Sequence, residues 1–197
     1  MIKRLSTELL WGAYLEGAFP MGSDDSDEIH FYTVDERCLF PIEGIRVSRS
    51  LAKTLRNPHW SVTFDQCFDD VVWACRREPG NNWITPEILR VYSLAHREGW
   101  AHSCEVWWEG ELVGGTYGVA MGTCFSAESM FHRRTDASKV ALYHMVRKCR
   151  ELGYTIFDAE VTNPHLESLG SYTVPIEQFL QALQDGLSKV ISWTASQ

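Results

Sequence analysis

Apolar side chains recur at spacings of three and four residues in several separate segments, which is the pattern of helices with one buried face. The first of these segments ends at Gly17. A later segment follows Thr85 and Pro86, residue types favoured where a helix begins. Gly99 and Gly153 are typical of positions just beyond the end of a helix. The pattern predicts helices over about residues 6–16, 48–57, 67–77, 86–98, 136–152 and 176–187.

Between Trp100 and Phe131 the apolar period changes to two, which is typical of strands buried on one face. Turns suggested at Glu109-Gly110 and around Gly122 divide this stretch into three strands of an antiparallel meander. Further extended segments are predicted for HFYTVDERCLF, WSVTF and YTIFDAEV. The combination indicates an α+β fold, in which helices cover a mixed, mostly antiparallel sheet.

The segment AFPMGSDDSDE combines a proline, a glycine and an acidic cluster, and it predicts an exposed loop. We take it as the candidate boundary between two parts of the chain. On this basis we expect a small N-terminal domain over residues 1–36 and a main domain over residues 37–197.

The composition narrows the class of protein. The 197 residues are 45% hydrophobic, and no apolar run approaches the roughly 20 residues that span a bilayer. We therefore expect a soluble, cytoplasmic protein without membrane contact. We also expect a monomer, although composition does not determine the oligomeric state. The formal charge of −8 argues against a general nucleic-acid binder, so any contact with RNA has to be local.

One such local basic surface is predicted at the second helix. Four cations recur there at spacings of three and four, which places them along one side of a helix. They could follow a phosphate backbone, and the plainer alternative is a solvated helix face. The residues are Arg46, Arg49, Lys53 and Arg56.

Several kinds of active site have no signal in the sequence. The six cysteines show no CxxC spacing, so we expect buried reduced thiols and no zinc site. The glycine-rich stretch GGTYGVAMG matches neither the phosphate loop of nucleotide-binding proteins nor the dinucleotide-binding pattern. No GxSxG motif is present, so a covalent intermediate is not indicated.

Acidic residues on two predicted strands are the strongest chemical signal. Alternation along YTIFDAEV places Ile156, Asp158 and Glu160 on one face, with about 6.5–7 Å between the two acidic Cα atoms. Alternation along SAESMF likewise places Ser126, Glu128 and Met130 on one face. If both faces line one cleft, three carboxylates converge and require a cation from a metal, an arginine or a substrate. A metal is the weaker choice, because no further ligand stands at a recognisable spacing.

Two other features are compatible with a binding site. Gly114 and Gly115 interrupt a strand, which suits the close approach of a ligand backbone. Trp83 lies in a loop before the Thr85 cap and could stack on a base, although a core tryptophan is the alternative.

The ordered set of motifs resembles the leucyl/phenylalanyl-tRNA-protein transferases of bacteria. The resemblance covers nearly the whole chain, and its most specific parts are ELVGGTYGVAMG, ESMF, ASK and TNPHLESLG. It implies an N-acetyltransferase-like catalytic domain behind a small N-terminal domain. It also implies transfer of leucine, phenylalanine or sometimes methionine from aminoacyl-tRNA to proteins that begin with lysine or arginine, which marks them for degradation. Members use no acetyl-CoA, metal or ATP, because the aminoacyl ester is already activated.

The resemblance assigns roles to individual positions. Asp158 corresponds to the key acidic residue of the family, and Glu160 stands where glutamine is usual. Trp83 matches a tryptophan that stacks on the terminal adenine. Thr116 stands where methionine is common in the aminoacyl pocket, and the segment FYTVDER replaces the usual WWSPDPR. The other matched pocket positions are Glu128, Met130 and Phe157.

Our hypothesis from the sequence is that Asp158 and Glu160 orient and deprotonate the incoming amine, while Glu128 adds to the negative field. Two alternatives remain open. A small-molecule N-acyltransferase would need a loop for the pyrophosphate of acyl-CoA, which the sequence does not show. A non-catalytic module would recognise basic protein N-termini through the same carboxylates.

Overall fold

The computed structural model describes residues 4–23, 26–76 and 82–193, with only the backbone at residues 26 and 27. Its helices are α1 (Thr7–Leu15), α2 (Arg49–Leu55), α3 (Phe68–Ala74), α4 (Pro86–Arg97), α5 (Ala137–Leu152), α6 (Pro164–Ser168) and α7 (Ile176–Gly186). Its strands are β1 (Phe19–Ser23), β2 (Ser26–Tyr32), β3 (Glu36–Phe40), β4 (Trp60–Phe64), β5 (Ala101–Trp108), β6 (Glu111–Met121), β7 (Cys124–His132), β8 (Ile156–Asp158) and β9 (Tyr172–Pro175).

One seven-stranded sheet organises the molecule, with the strand order β4-β5-β6-β7-β8-β3-β9. Only β7 and β8 pair in parallel, and the other neighbouring strands are antiparallel. The predicted α+β fold with a mixed, mostly antiparallel sheet is therefore confirmed. The predicted meander is present as β5, β6 and β7.

Helices cover both faces of this sheet. The first hydrophobic cluster, on one face, contains Leu10 of α1, Val71 of α3, Ile88 of α4 and Phe179 of α7. The second hydrophobic cluster, on the other face, is built around α5 and includes Val140. The helices α4, α5 and α7 therefore bury apolar stripes, as their periodicity predicts.

All six predicted helices are present, within a few residues of their expected ends. The hydroxyl of Thr85 accepts a hydrogen bond from the Ile88 amide at 3.3 Å, and Pro86 is the first residue of α4. Gly153 ends α5 with a φ of 94°, a left-handed conformation that glycine adopts without strain. Local capping chemistry therefore fixed these boundaries.

The predicted exposed loop AFPMGSDDSDE is wrong. Phe19 pairs with Tyr32, and the segment forms the antiparallel hairpin of β1 and β2. The reason is burial, since Phe19 and Ile29 pack into the first hydrophobic cluster and offset the local turn preferences. The side chains of Asp24 and Asp25 lie outside the described residues.

Two other expectations about the strands need correction. The predicted strand YTIFDAEV is shorter, because its ladder ends at Asp158. The helix α6 and the strand β9 were not predicted. The former is a single turn capped by Asn163, and the latter has four residues, so both are too short to show a hydrophobic period.

The register between β6 and β7 shifts at Glu128, which has no partner on β6. This extra residue forms a β-bulge. Ser126 lies opposite Val119 of the first hydrophobic cluster, whereas Met130 packs against the second. The expectation that Ser126, Glu128 and Met130 share one face is therefore wrong, because the bulge reverses the alternation.

The N-terminal helix α1 packs against α4, α7 and β1. Leu10 and Tyr14 of α1 share the first hydrophobic cluster with residues of α4 and α7. The division into residues 1–36 and 37–197 stays a prediction. Five of the six free cysteines are buried, as expected of reduced thiols that pack as small apolar groups, and Cys67 is half-buried. None of the described helices is long and apolar enough to cross a membrane.

The tight packing beside the bulge yields a stability prediction. A Cβ added at Gly118 would lie 2.7 Å from Phe125 Cε1 and closer still to the Ser126 carbonyl oxygen. We expect Gly118→Ala to lower the free energy of unfolding by roughly 1–3 kcal/mol, as overpacking does, in urea denaturation. Gly12→Ala is the matched control, because that Cβ meets nothing within 4 Å in helix α1. Equal effects of the two substitutions would contradict this account of the bulge.

Candidate active site

A cavity of about 310 Å³ lies between the middle of β6 and β7, the segment that follows β8, and the helices α5 and α6. Four of the residues singled out from the sequence line it, namely Thr116, Glu128, Met130 and Glu160. The other lining residues are Phe40, Ala127, Ser129, Leu142, Ala159, Val161, Thr162, Asn163 and Leu166. One part of the cavity wall is therefore acidic and another part is apolar.

The cation that the carboxylates require is Arg37 of β3, which is almost completely buried. Its Nε and Nη2 atoms donate to the two oxygens of Asp158, and its Nη1 donates to the Gly17 carbonyl at 3.1 Å. The guanidinium also lies over the ring of Phe179, 4.7 Å from its centre. Burial alone would lower the pKa of Arg37, but the adjoining Asp158 carboxylate raises it overall, so the arginine stays charged.

Asp158 is fully buried and has four hydrogen-bond donors around it. Besides the two from Arg37, Ser126 Oγ donates to Oδ2 at 2.7 Å and the Glu160 amide donates to Oδ1 at 2.9 Å. Both carboxylate oxygens are thereby occupied by protein groups. Asp158 is not among the residues that line the cavity, so it lies one layer beneath the cavity wall.

Glu160 reaches the cavity through an unusual backbone conformation. The strand β8 ends at Asp158, and Glu160 has a φ of 56°, in the left-handed region. Its Oε1 lies 4.0 Å from Arg37 Nη2. Burial and the Glu128 charge raise the pKa of Glu160 well above its usual range, and Arg37 opposes this only partly.

Glu128 lies at the β-bulge and points toward the first hydrophobic cluster. Its Oε2 accepts a hydrogen bond from the Tyr92 hydroxyl at 2.8 Å, and Tyr92 is in turn hydrogen-bonded to Tyr14 of α1. Burial raises the pKa of Glu128 to about 7, while the two tyrosine hydroxyls limit the rise. A carboxyl group that titrates near neutrality is suited to accept a proton from an amine.

Two aromatic residues predicted for the site do not line this cavity. Phe157 is fully buried in the second hydrophobic cluster, where it stacks on Phe125 at 5.6 Å between ring centres. Trp83 is half-buried against the first hydrophobic cluster, and its carbonyl accepts a hydrogen bond from the Gly22 amide at 3.0 Å. Their predicted contacts with substrate stay predictions.

The basic surface predicted from the sequence is exposed on and beside α2. Arg49 and Lys53 belong to the helix, Arg56 follows its last turn, and Arg46 precedes it. All four side chains are exposed. The geometry is compatible with both readings, a solvated helix face and an RNA contact.

One group among the described residues has the composition of a metal site, and it lies outside the cavity. Ligand atoms of Asp65, His96 and His102 lie within 4.8 Å of one another. Hydrogen bonds already link these groups, since Asp65 accepts from the Ser103 amide at 2.8 Å and lies 2.8 Å from His102 Nδ1. The expectation that the reaction uses no metal stays a prediction.

The sequence did not identify Arg37, Tyr92 or Tyr14 as parts of this site. Arg37 stands far along the chain from Asp158, and no spacing connects the two residues. The sequence indicated only that three converging carboxylates require a cation, without showing which residue provides it. The tyrosines lie on α1 and α4, where their apolar periodicity marks them as core residues.

Comparison with known proteins gives one consistent family. A family model described as leucyl/phenylalanyl-tRNA protein transferase matches residues 39–184. Proteins named leucyl/phenylalanyl-tRNA-protein transferase are similar over most of the chain. That of Salinibacter ruber is 42% identical and covers 96% of this chain and 83% of its own. The protein of Syntrophotalea carbinolica is 45% identical and covers 92% of this chain and 80% of its own. The protein of Chlorobium luteolum is 40% identical and covers 94% of this chain and 97% of its own.

Solved structures give weaker likenesses. A GCN5-related N-acetyltransferase from Kribbella flavida is 10% identical, with a TM-score of 0.43, covering 70% of this chain and 53% of its own. The chain in the structure of L-PGS from Bacillus licheniformis is 14% identical in sequence, with a TM-score of 0.46, and the match covers 82% of this chain and 53% of that one.

The buried ion pair yields a second prediction. In Arg37→Met the apolar contact with Phe179 is largely kept, but Asp158 is left without its cation. We expect a loss of roughly 3–5 kcal/mol in the free energy of unfolding, measured in urea. The control is Arg147→Met, which removes the exposed pair with Glu151 and should cost about 1 kcal/mol or less. A small loss in both variants would show that Arg37 does not hold the site together.

Proposed function

This chain belongs to the leucyl/phenylalanyl-tRNA-protein transferase family, and from that premise we propose that it moves an amino acid from aminoacyl-tRNA to the N-terminus of a protein. The proposed donors are tRNAs charged with leucine, phenylalanine or methionine. The proposed acceptors are proteins that begin with lysine or arginine, which this addition would mark for degradation. The observation that supports this most directly is one cavity with an apolar wall beside two acidic side chains.

The apolar wall suits the side chain of the transferred amino acid. Phe40, Met130, Leu142 and Leu166 line it. Thr116 adds little polarity, because its hydroxyl donates to the Ser129 carbonyl at 2.9 Å. A leucine, phenylalanine or methionine side chain would bury apolar surface there, which is the main source of affinity in such a pocket.

The acidic wall suits the acceptor. Asp158, Glu160 and Glu128 lie near a single buried cation, Arg37, and Asp158 already occupies that cation. A protein N-terminus brings an ammonium group, and a first residue of lysine or arginine brings a second positive charge. Binding of such a chain end would compensate the excess of carboxyl groups.

We assign proton transfer to Glu128. The acceptor ammonium gives one proton to the ionised Glu128, whose pKa of about 7 lies close to that of an α-amino group. The neutral amine then attacks the ester carbonyl carbon, so that a C–N bond forms and the bond to the tRNA 3′ oxygen breaks. A second amine proton passes to that oxygen as it leaves. The ester is already activated, so the reaction needs no further energy source.

Asp158 has a different role in this proposal from the one expected from the sequence. Its four donors leave it no free position for an amine. We assign it as a positioning residue, which fixes Arg37 from one side and the Glu160 backbone from the other. The acceptor amine would then contact Glu128 directly, and Glu160 would lie beside it in the cavity wall.

Other parts of the proposal lie outside the cavity. Arg46, Arg49, Lys53 and Arg56 would contact the phosphates of the tRNA, and Trp83 would stack on its terminal adenine. We propose that the protein acts as a monomer in the cytoplasm, where charged tRNA is present.

A transfer assay tests the function. The protein is incubated with tRNA charged with radiolabelled leucine and with a peptide that begins with arginine. We expect label in the peptide, because the ester and the amine meet in one cavity. The peptide product is measured after separation from tRNA, and tRNAs charged with phenylalanine and methionine are compared at equal concentration.

The controls separate this function from its alternatives. The same peptide with an acetylated N-terminus should receive no label, since it has no free amine. A leucyl-CoA donor should also be inactive, whereas a small-molecule N-acyltransferase would accept it. If the peptide binds but no donor transfers label, the protein is a recognition module and not a transferase.

The exposed cations of α2 yield a prediction about RNA binding. Arg49→Ala/Lys53→Ala should weaken tRNA binding and reduce the slope of log affinity against log salt by about 1–2, because two phosphate contacts are lost. The control is Arg97→Ala/Lys189→Ala, which removes two exposed cations away from α2. Equal slopes in the two double variants, measured by filter binding, would favour the solvated helix face.

A further inference from the structure

Glu160 is buried, with an exposed fraction of 8%. Its Oε1 is enclosed and accepts no hydrogen bond from any described residue. Within the described part of the chain, Arg37 is the one cation paired with it, at 4.0 Å from Oε1, and the Nε and Nη2 donors of the guanidinium are directed at Asp158. An ionised carboxylate in such surroundings bears a large desolvation cost.

The groups that surround Glu160 add negative charge. Glu128 of β7 and Asp158 of β8 are the neighbouring carboxyl groups, and Arg37 of β3 is the counter-charge. Three buried tyrosines of α1, α4 and β6 lie close enough for the charge of Glu160 to raise their pKa, so they carry no charge near neutral pH. They are Tyr14, Tyr92 and Tyr117.

The surrounding carboxyl groups differ in their hydrogen bonds. Asp158 has four donors and Glu128 has Tyr92, whereas the enclosed Oε1 of Glu160 has none among the described residues. If one of the three carboxyl groups carries a proton, protonation of Glu160 is the most favourable, because its ionised form has the fewest hydrogen bonds to offset the cost of burial.

We propose that Glu160 works as a neutral carboxylic acid, and that its O–H group donates a hydrogen bond to the carbonyl oxygen of the aminoacyl ester. This inference rests on the proposed transfer reaction and gives the two glutamates different roles. Glu128 accepts the proton of the ammonium group. Glu160 keeps its own proton and stabilises the negative charge that develops on the carbonyl oxygen while the C–N bond forms.

The raised pKa of Glu160 agrees with this role. Burial raises it most, and the charges of Glu128 and Asp158 add to the rise. Deprotonation at alkaline pH would remove the donor and place a second negative charge beside the ester oxygen. The rate should therefore fall on the alkaline side.

The first test measures the proton directly. Protein labelled with carbon-13 at the glutamate side chains is titrated by NMR, and the signal absent from Glu160→Gln identifies Glu160. We expect this signal to stay at its protonated position well above the pH of about 4.3 at which an ordinary glutamate ionises, and still at the pH of the transfer assay. Ionisation in that ordinary acidic range would overturn the proposal.

The second test compares substitutions in the transfer assay. Glu160→Ala removes the donor and should lower kcat by about tenfold or more. Glu160→Gln supplies an amide N–H donor of similar shape, so it should restore most of that loss and abolish the alkaline decline. If Glu160 were instead a general base, neither variant could accept the proton, and kcat should fall by about 10²–10⁴-fold in both. Glu111→Gln, at the exposed start of β6, is the control for substituting a glutamate.

The outcomes distinguish this inference from the proposed function. If Glu160→Gln is as slow as Glu160→Ala, the donor role is wrong although the enzyme is a transferase. If the wild type transfers no label to any peptide, the proposed function fails, and the NMR titration still decides whether Glu160 is neutral.

Discussion

The buried pair of Arg37 and Asp158 is the interaction on which the site depends. Arg37 comes from β3 and Asp158 from β8, so the pair joins two strands of the sheet that are far apart in the sequence. The guanidinium also reaches the Gly17 carbonyl, and Asp158 holds Ser126 of β7 and the Glu160 amide. Such a pair is costly to bury, and what it provides is position, since Asp158 fixes the backbone from which Glu160 enters the cavity.

The remaining polar groups follow from this arrangement. Asp158 uses the available cation, so Glu128 and Glu160 face the cavity without a full counter-charge. A site left short of positive charge favours a ligand that supplies it, and a basic protein N-terminus does so. Burial moves the protonation of Glu128 toward neutral pH, where an amine can exchange a proton with it, and Arg37 opposes this shift only partly. In the proposed reaction, the same buried carboxyl group would therefore both attract the cationic acceptor and take its proton.

The sequence predicted the parts that depend on local chemistry. Caps such as Thr85 and glycines such as Gly153 marked helix ends, and the period of two identified the meander. It also placed Asp158, Glu160 and Glu128 near one another. It could not show Arg37, because ion pairing between distant strands leaves no periodic signal. The bulge at Glu128 was equally hidden, since an extra residue changes the facing of side chains without changing their order.

The hydrogen bonds from Tyr14 through Tyr92 to Glu128 connect the N-terminal helix to the reacting groups. Helix α1 is thus part of the acid–base apparatus as well as part of the core. Loss of these hydrogen bonds through a movement of α1 would raise the basicity of Glu128 without touching the apolar wall of the cavity. In the proposed reaction, residues of α1 would thereby set part of the pH dependence of transfer.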